Sequence, residues 1–122
     1  MKAMFTIPGR LPSMNEYISA CNRAWFIGQS FKNKQMKLVS LAIMADKVPV
    51  FERPVYVTFR WFEKDKRRDR DNIKSGEKYV MDALKHRGRI QNDTQRWVLD
   101  STHEITVDRE NPRVEVEIEE AD

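Results

Sequence analysis

The sequence predicts a small single-domain α/β protein, residues 1–122, in which a mixed sheet of about four strands packs against two helices. Segments of strand composition and of helical periodicity follow one another in the order β, α, β, α, β, β. A chain of 122 residues buries about two thirds of the surface that it exposes when unfolded, which is enough for one core. No internal repeat indicates a solenoid or an array.

The N-terminal third of the chain contains one predicted strand and one predicted helix. Ala3 to Ile7 is a short apolar run closed by Pro8-Gly9, which predicts a first strand that ends in a turn. From Asn33 to Ala45, apolar residues such as Val39 and Ile43 recur at three- and four-residue spacing. This pattern predicts an amphipathic helix that serves as scaffold.

The segment between these two elements, residues 16–31, has no clean period. We expect three of its aromatic side chains to pack on the core, with a mobile loop near a substrate as the alternative: Trp25, Phe26 and Phe31. Asn15 and Tyr17, around the start of this segment, could reach a ligand, but a turn or capping role is the commoner one for such residues.

A strand and a helix are predicted in the middle of the chain. Val55 to Phe62 is rich in β-branched and aromatic residues, which predicts a strand. A helical pattern then runs from a cap at Asp71 or Asn72 to about His86. Gly88 is placed to end this helix, because glycine readily adopts the left-handed conformation just past a last turn.

The C-terminal third contains two predicted strands. Residues 97–107 have strand composition, residues 108–112 resemble a turn, and the apolar side chains of residues 114–118 alternate with charged ones. We expect these two strands to form an antiparallel hairpin. The acidic tail that follows is expected to be frayed.

Composition limits the compartment and the class of protein. Cys21 is the single cysteine, so the chain can form no internal disulfide and no cysteine-based zinc site. No apolar run approaches the roughly 20 residues of a membrane helix, and the N-terminus is too short and too polar for a signal peptide. We therefore expect a soluble, cytoplasmic protein.

Positive charge is concentrated in one segment. The formal net charge is +3, yet residues 64–89 hold ten Lys or Arg against five Asp or Glu. A concentrated basic field indicates an anionic partner, with nucleic acid as the first candidate, although a solvated Lys/Arg-rich helix face is the alternative. The predicted DNA-binding side chains are Lys64, Lys66, Arg67, Arg68, Arg70 and Lys74.

Carboxylates stand within this basic segment, where a surface that only binds polyanions would gain nothing from them. Asp69 and Asp71 lie two residues apart between the predicted strand and helix, so that in an extended chain both point the same way. A site that holds a divalent cation against a phosphate needs both signs of charge. Asp93, in the polar loop after the helix, is the third candidate ligand. We expect the return loop to bring it to the other two, with a second subunit as the alternative.

Two lysines could assist such a site. Lys74 and Lys78 are four residues apart and so share one face of the predicted helix. A lysine near the attacking or leaving oxygen stabilises developing negative charge. The opposing interpretation is that Asp69 and Asp71 form ordinary surface ion pairs with neighbouring arginines and that Asp93 caps a turn. His86 and His103 are interpreted as neutral surface or strand residues rather than as ligands.

Several of these residues occur in an ordered set. Arg68-Asp69-Arg70-Asp71-Asn72-Ile73, then Lys78, Asp82-Ala83-Leu84 and Asn92-Asp93, resemble the RusA family of Holliday junction resolvases. The opening Ile7-Pro8-Gly9-Arg10-Leu11-Pro12-Ser13-Met14-Asn15 is also similar to that family's proline- and asparagine-containing start.

The resemblance implies a RusA-like fold and a homodimeric, Mg²⁺-dependent endonuclease, with Mn²⁺ as an alternative metal, that cuts four-way DNA junctions by paired symmetric nicks. It implies that Asp69, Asp71 and Asp93 bind the metal and that Lys78 is the catalytic lysine. The interval from Asp71 to Asp82 is three residues longer than in the shortest family pattern, which leaves Lys74 as an alternative to Lys78. Asp82 is interpreted as structural.

Two other functions remain open on the sequence. One is a basic DNA-binding accessory protein of a phage or prophage that does not cleave, and the other is a nuclease of other branched DNA. The complete set of acids favours cleavage.

Overall fold

The computed structural model describes all 122 residues, which form four strands and four helical segments. In chain order these elements are β1 (Lys2–Pro8), α1 (Met14–Arg23), α2 (Trp25–Ala45), β2 (Val55–Glu63), α3 (Arg70–Lys74), α4 (Glu77–His86), β3 (Val98–Val107) and β4 (Arg113–Glu120).

The four strands form one mixed sheet in the order β1-β4-β2-β3. The β2–β3 pair is parallel and is connected through α3 and α4, whereas β4 is antiparallel to both β1 and β2. Parallel neighbours need a crossover connection, and the two helices between β2 and β3 provide it. The predicted α/β class with a mixed sheet of four strands is confirmed.

One face of the sheet is buried beneath the helices. The register aligns Phe5, Val116, Phe59 and His103 in one row across the four strands on this face. The same buried cluster includes residues from the helices, among them Ile43 of α2 and Leu84 of α4. On the opposite face β4 carries charged side chains, as its period of two predicted.

Residues 16–31, in which the sequence shows no clean period, are helical apart from Ala24. Ser13 caps α1 through a capping box with Glu16, and α2 begins two residues after α1 ends. Trp25 and Phe26 are 77% and 68% exposed, so the expectation that they pack on the core is wrong. They occupy the corner between α1 and α2, beyond the edge of the core, whereas Phe31 is partly buried against it.

The longest helix is α2, which extends the predicted helix toward the N-terminus by eight residues, from 33 to 25. Its first turns lack a consistent apolar stripe, which explains why the sequence pattern missed them. Neither this helix nor any other has the length and apolar character needed to cross a membrane.

The predicted hairpin of the last two strands is wrong, because β2 lies between β3 and β4. The turn-like residues 108–112 cross the end of β2 instead, where the backbone N–H of Asp108 donates to the carbonyl of Glu63 at 2.7 Å. The alternation of apolar and charged residues identified the buried face of β4, but it contained no information about which strands lie beside β4.

The acidic C-terminal tail is also more ordered than expected. β4 continues to Glu120, whose carboxylate lies 3.2 Å from the amino group of Met1, and the N–H of Ala121 donates to Pro54. Pairing with strands on both sides therefore overrides the local repulsion of the glutamates.

The helix predicted from about residue 71 to 86 is divided into α3 and α4 at Ser75-Gly76. A Cβ atom at Gly76 would lie 3.2 Å from Leu11 Cβ and 3.3 Å from the Trp61 ring, so this position favours glycine. The predicted end is confirmed: Gly88 has φ +68° just past the last turn of α4.

Candidate functional site

Arg68 fixes the turn between β2 and α3. Its Nη1 donates to the buried carboxylate of Glu63 at 3.2 Å, and its Nη2 donates to the carbonyls of Leu11 at 3.1 Å and Asn72 at 3.2 Å. One guanidinium thus joins the end of β2, the segment before α1 and the first turn of α3. Arg68 was predicted to bind DNA, and these contacts give it a positioning role.

The segment before α1 supports the same turn from the other side. Ser75 Oγ accepts from the N–H of Met14 at 3.0 Å and donates to the carbonyl of Asn72 at 2.8 Å. Asn15 Nδ2 donates to Asn72 Oδ1 at 3.2 Å. The predicted capping role therefore belongs to Ser13, and Asn15 contacts the aspartate-bearing turn.

Asp69 and Asp71 are exposed on this turn and their carboxylates are free. The N-cap of α3 is Asp69, which accepts no capping hydrogen bond, and not Asp71 or Asn72 as predicted. Asp71 lies in the first turn of the helix. The arginines expected to pair with them are engaged elsewhere or unpaired: Arg67 lies 3.8 Å from Asp65, and Arg68 contacts Glu63. The ordinary ion pairs offered as the alternative interpretation are not formed. Free carboxylate oxygens are the ligands that Mg²⁺ prefers.

A polar cleft of about 450 Å³ lies beside α3 and α4, against the start of β3. Its charged lining side chains are Lys74, Glu77, Lys78, Asp93 and Asp100. Both candidate lysines therefore reach one cleft, although the helix that was predicted to present them is interrupted between them.

Lys78 lies at the centre of an ion-pair network in this cleft. Its Nζ is 3.1 Å from Asp82 Oδ1 and 3.8 Å from Asp93 Oδ2, while Lys85 Nζ is 3.6 Å from Asp93 Oδ1. The hydrogen bond to Asp82, and the charge of Asp93, raise the pKa of Lys78 above its usual value. Lys78 is therefore a cation at neutral pH. Asp82 also lies 3.3 Å from Lys32 of α2, which gives it the structural role predicted for it.

The three predicted aspartates do not meet at one point. No three His, Cys, Asp or Glu side chains in the chain are close enough together to hold a metal ion. Asp69 and Asp71 lie together at the N-terminus of α3, whereas Asp93 faces Lys78 and Lys85. Mg²⁺ commonly uses only one or two carboxylates and completes its shell with water and substrate phosphate. The free pair on the turn fits that kind of site.

Comparison with protein families decides the class of protein. The family model for Endodeoxyribonuclease RusA matches residues 8–119. The chain belongs to the RusA endodeoxyribonuclease family. The match spans every candidate residue named above, and it makes the protein a nuclease of a family that acts on branched DNA junctions. No curated protein matches the chain significantly.

Most of the predicted DNA-binding side chains in this RusA-family chain are accessible. Lys64, Lys66, Arg67 and Arg70 are exposed along the segment between β2 and α3. Lys74, which is half-buried, faces the cleft. The exposed cations and the free carboxylates of Asp69 and Asp71 thus share one short stretch of surface.

A second feature of the site is the contact between β3 and α4, which the sequence did not predict. His103 stacks on Phe59 and Trp61, with ring centroids 5.1 and 6.0 Å apart, and its Nε2 lies 3.3 Å from Glu77 Oε2. Burial lowers the pKa of His103 despite the neighbouring Glu77 carboxylate. His103 is therefore a neutral strand residue, as expected. No role was predicted for Glu77. The register that pairs β3 with β2 places His103 on the buried face of the sheet, and this position brings it to Glu77.

Proposed function

We propose that this protein is a Mg²⁺-dependent endodeoxyribonuclease that resolves four-way DNA junctions by paired symmetric nicks, in bacterial or phage DNA recombination and repair. The family match over residues 8–119 carries the proposal. The free carboxylates of Asp69 and Asp71, set among exposed cations, support it because hydrolysis of a phosphodiester beside a metal needs both charges.

Asp69 and Asp71 are the proposed primary ligands of the metal, with Asp93 as the third acid. When bound, Mg²⁺ polarises the scissile phosphate and stabilises charge on the departing oxygen, and Mn²⁺ could replace it. The carboxylate of Asp93 contacts Lys78 and Lys85. It would either leave these lysines to bind the metal or act indirectly, by holding the two ammonium groups in place.

Lys78 is the proposed catalytic lysine, with Lys74 as the alternative. Lys78 is held by Asp82 and stays protonated, which suits a point charge that stabilises the transition state. The exposed cations on the segment between β2 and α3 would contact phosphates along the junction arms: Lys64, Lys66, Arg67 and Arg70. Arg68 would act mainly by holding the turn in place.

A homodimer is part of the proposal. Two symmetric nicks in one junction require two sites, and a dimer with a twofold axis presents two copies of the same site.

A cleavage assay with a synthetic four-way junction tests the proposal. We expect Asp71→Asn and Asp93→Asn each to abolish cutting in Mg²⁺ while junction binding in a gel-shift assay persists or tightens, because each removes negative charge. Asp65→Asn is the matched control, since Asp65 lies in the same basic segment but pairs only with exposed Arg67. We expect it to cut like the parent protein.

The outcomes separate the alternatives. A variant that cuts like the parent refutes the role of its residue. A parent protein that binds junctions but yields no metal-dependent products would indicate the non-cleaving accessory protein. Preferential cutting of flapped DNA in a competition assay would indicate a different branched substrate.

Thermal unfolding provides a second test of the metal site that does not depend on activity. Binding of Mg²⁺ to the folded chain should raise the melting temperature, since a ligand at 100 times its Kd contributes about 2.7 kcal/mol. Asp71→Asn should reduce this rise, and an unchanged response would mean that the ions bind elsewhere.

A further inference from the structure

Glu77 differs from Asp93 and Asp82 in its partners. Asp100, the remaining carboxylate of the cleft, is exposed near the start of β3 and accepts only the N–H of its neighbour Ser101. Asp93 has a lysine opposite each of its two oxygens, and Asp82 likewise lies between Lys32 and Lys78. Glu77 has one partner, the ring of His103, which contacts only Oε2. Its other oxygen is left without a hydrogen bond in the chain and belongs to a side chain that lines the cleft.

The protonation of His103 follows from its neighbours. The indole N–H of Trp61 can only donate, and it lies 3.0 Å from His103 Nδ1, which must therefore accept. In the neutral ring the proton then resides on Nε2, which faces Glu77 Oε2 at 3.3 Å. Stacking on Phe59 and Trp61 keeps the ring in place. Trp61, His103 and Glu77 thus form a chain in which each group orients the next.

The surroundings suit a carboxylate that accepts a proton. A neutral donor orients Glu77 without neutralising its charge. The charged groups that share the cleft with it are Lys74 of α3, Lys78 of α4, Asp93 of the following loop and Asp100 of β3. The lysines can hold a phosphate beside Glu77, since phosphates bind readily between ammonium groups.

We propose that Glu77, oriented by His103, is the general base of the nuclease reaction, an inference that rests on the proposed function. A water O–H bond breaks and its proton passes to the free oxygen of Glu77, while the water oxygen forms a bond to phosphorus. The P–O bond to the departing deoxyribose oxygen breaks, and its electron pair stays on that oxygen. The Lys78 ammonium stabilises this oxygen, which takes its proton from solvent.

Single-turnover cleavage of a synthetic four-way junction in Mg²⁺ tests the proposal. Glu77→Gln keeps the shape of the side chain and its contact with His103 but removes the base. We expect the cleavage rate to fall by about 10²- to 10⁴-fold, the contribution typical of general base catalysis. The Kd for the junction should stay within about twofold of that of the parent protein, and the rise in melting temperature with Mg²⁺ should be unchanged. Glu104→Gln is the matched control, because Glu104 is the next residue after His103 on β3 but pairs with Arg60 on the other face of the sheet.

Chemical rescue distinguishes a base from a structural contact. Glu77→Ala leaves space in an open cleft, so added formate should restore part of the lost rate in proportion to its concentration. A purely structural role would not respond to formate.

The positioning role of His103 has its own pair of variants. His103→Ala removes the donor and should lower the cleavage rate about tenfold. His103→Gln retains an N–H donor near the position of Nε2 and should recover most of that loss. His103→Gln also fills more of the space between Phe59 and Trp61 than alanine does. If His103→Ala alone fails to fold, His103→Gln and Glu77→Gln still test the proposal.

Each outcome decides the proposal. Parent-like cutting by Glu77→Gln, failure of formate to rescue Glu77→Ala, or loss of the Mg²⁺ response in Glu77→Gln would overturn the assignment of Glu77 as base while leaving the nuclease function standing. A parent protein that binds but never cuts junctions would overturn both. A reduced rate with intact binding, intact metal response and formate rescue would establish it.

Discussion

Replacing Arg68 with alanine should destabilise the fold more than the loss of any other lysine or arginine of the basic segment. The side chains of Arg68 and Glu63 are 18% and 7% exposed, so the substitution leaves a carboxylate charge in the protein interior without its partner. Removal of one partner from a buried ion pair costs about 3–5 kcal/mol. Because Arg68 retains some exposure, water can reach part of the vacated site, and the lower end of that range, about 3 kcal/mol, is expected.

The expected shift is large enough to measure by heat and by denaturant. A domain of this size loses about 4 °C in melting temperature for each kcal/mol, so Arg68→Ala should melt about 12 °C below the parent protein. Urea unfolding followed by circular dichroism should show a lower midpoint with an unchanged slope. Arg67→Ala is the matched control, since Arg67 is 88% exposed and lies 3.8 Å from its partner. Its effect should stay within about 0.5 kcal/mol.

A second substitution identifies the cause. If the buried charge of Glu63 is responsible, the double variant Glu63→Gln/Arg68→Ala should be more stable than Arg68→Ala alone, because a neutral amide costs less to bury than an unpaired carboxylate. The buried charge of Glu63 is not the cause if Arg68→Ala has the same melting temperature as Arg67→Ala, or if the double variant is no more stable than Arg68→Ala.

Three further predictions concern other parts of the molecule. Gly76→Ala should cost about 1–3 kcal/mol in urea unfolding, because the new methyl group would crowd Leu11 and Trp61. Burial lowers the pKa of His103, so the unfolded chain, whose imidazole titrates near pH 6.5, binds its proton more readily. The stability contributed by His103 is therefore full above that pH and declines as the pH falls below it, and His103→Gln should flatten the corresponding part of a plot of melting temperature against pH. Lys66→Ala should weaken junction binding and reduce the slope of log K against log[salt] by about 0.9 if its ammonium contacts one phosphate, and an unchanged slope would remove it from the interface.

The sequence predicted the elements of this fold better than their arrangement. The β-branched run Val55 to Phe62 identified β2, and the period of two through Val116 identified β4, because both patterns record burial along a single strand. Which strands become neighbours depends on contacts between distant residues. The predicted hairpin of β3 and β4 failed for this reason, since nothing near residues 108–112 shows that β2 will lie between them.

The features of the site that depend on local sequence were also predicted better than those that depend on distant contacts. The sequence predicted correctly that Asp69 and Asp71 lie close together after β2, because both residues belong to one local segment. Its expectation of an extended chain through Asp71 is wrong, since α3 already begins at Arg70. The ion pairs of Asp93 with Lys78 and Lys85 depend on where the loop after α4 returns, which local pattern does not record. The contact between Glu77 and His103 requires the parallel register of two strands, and a single sequence carries no signal for it.

The position of β3 at the border of the sheet affects how the molecule can open. β3 has one neighbouring strand, whereas β4 has two and carries the fully buried side chains Val114, Val116 and Ile118. Amide hydrogens of β3 should therefore exchange with deuterated solvent through local fluctuations, and those of β4 only through global unfolding. One wall of the cleft is thus built on a compliant edge strand, whereas the interior of the sheet is rigid, which allows the molecule to adjust to a wide, branched ligand without loosening its centre.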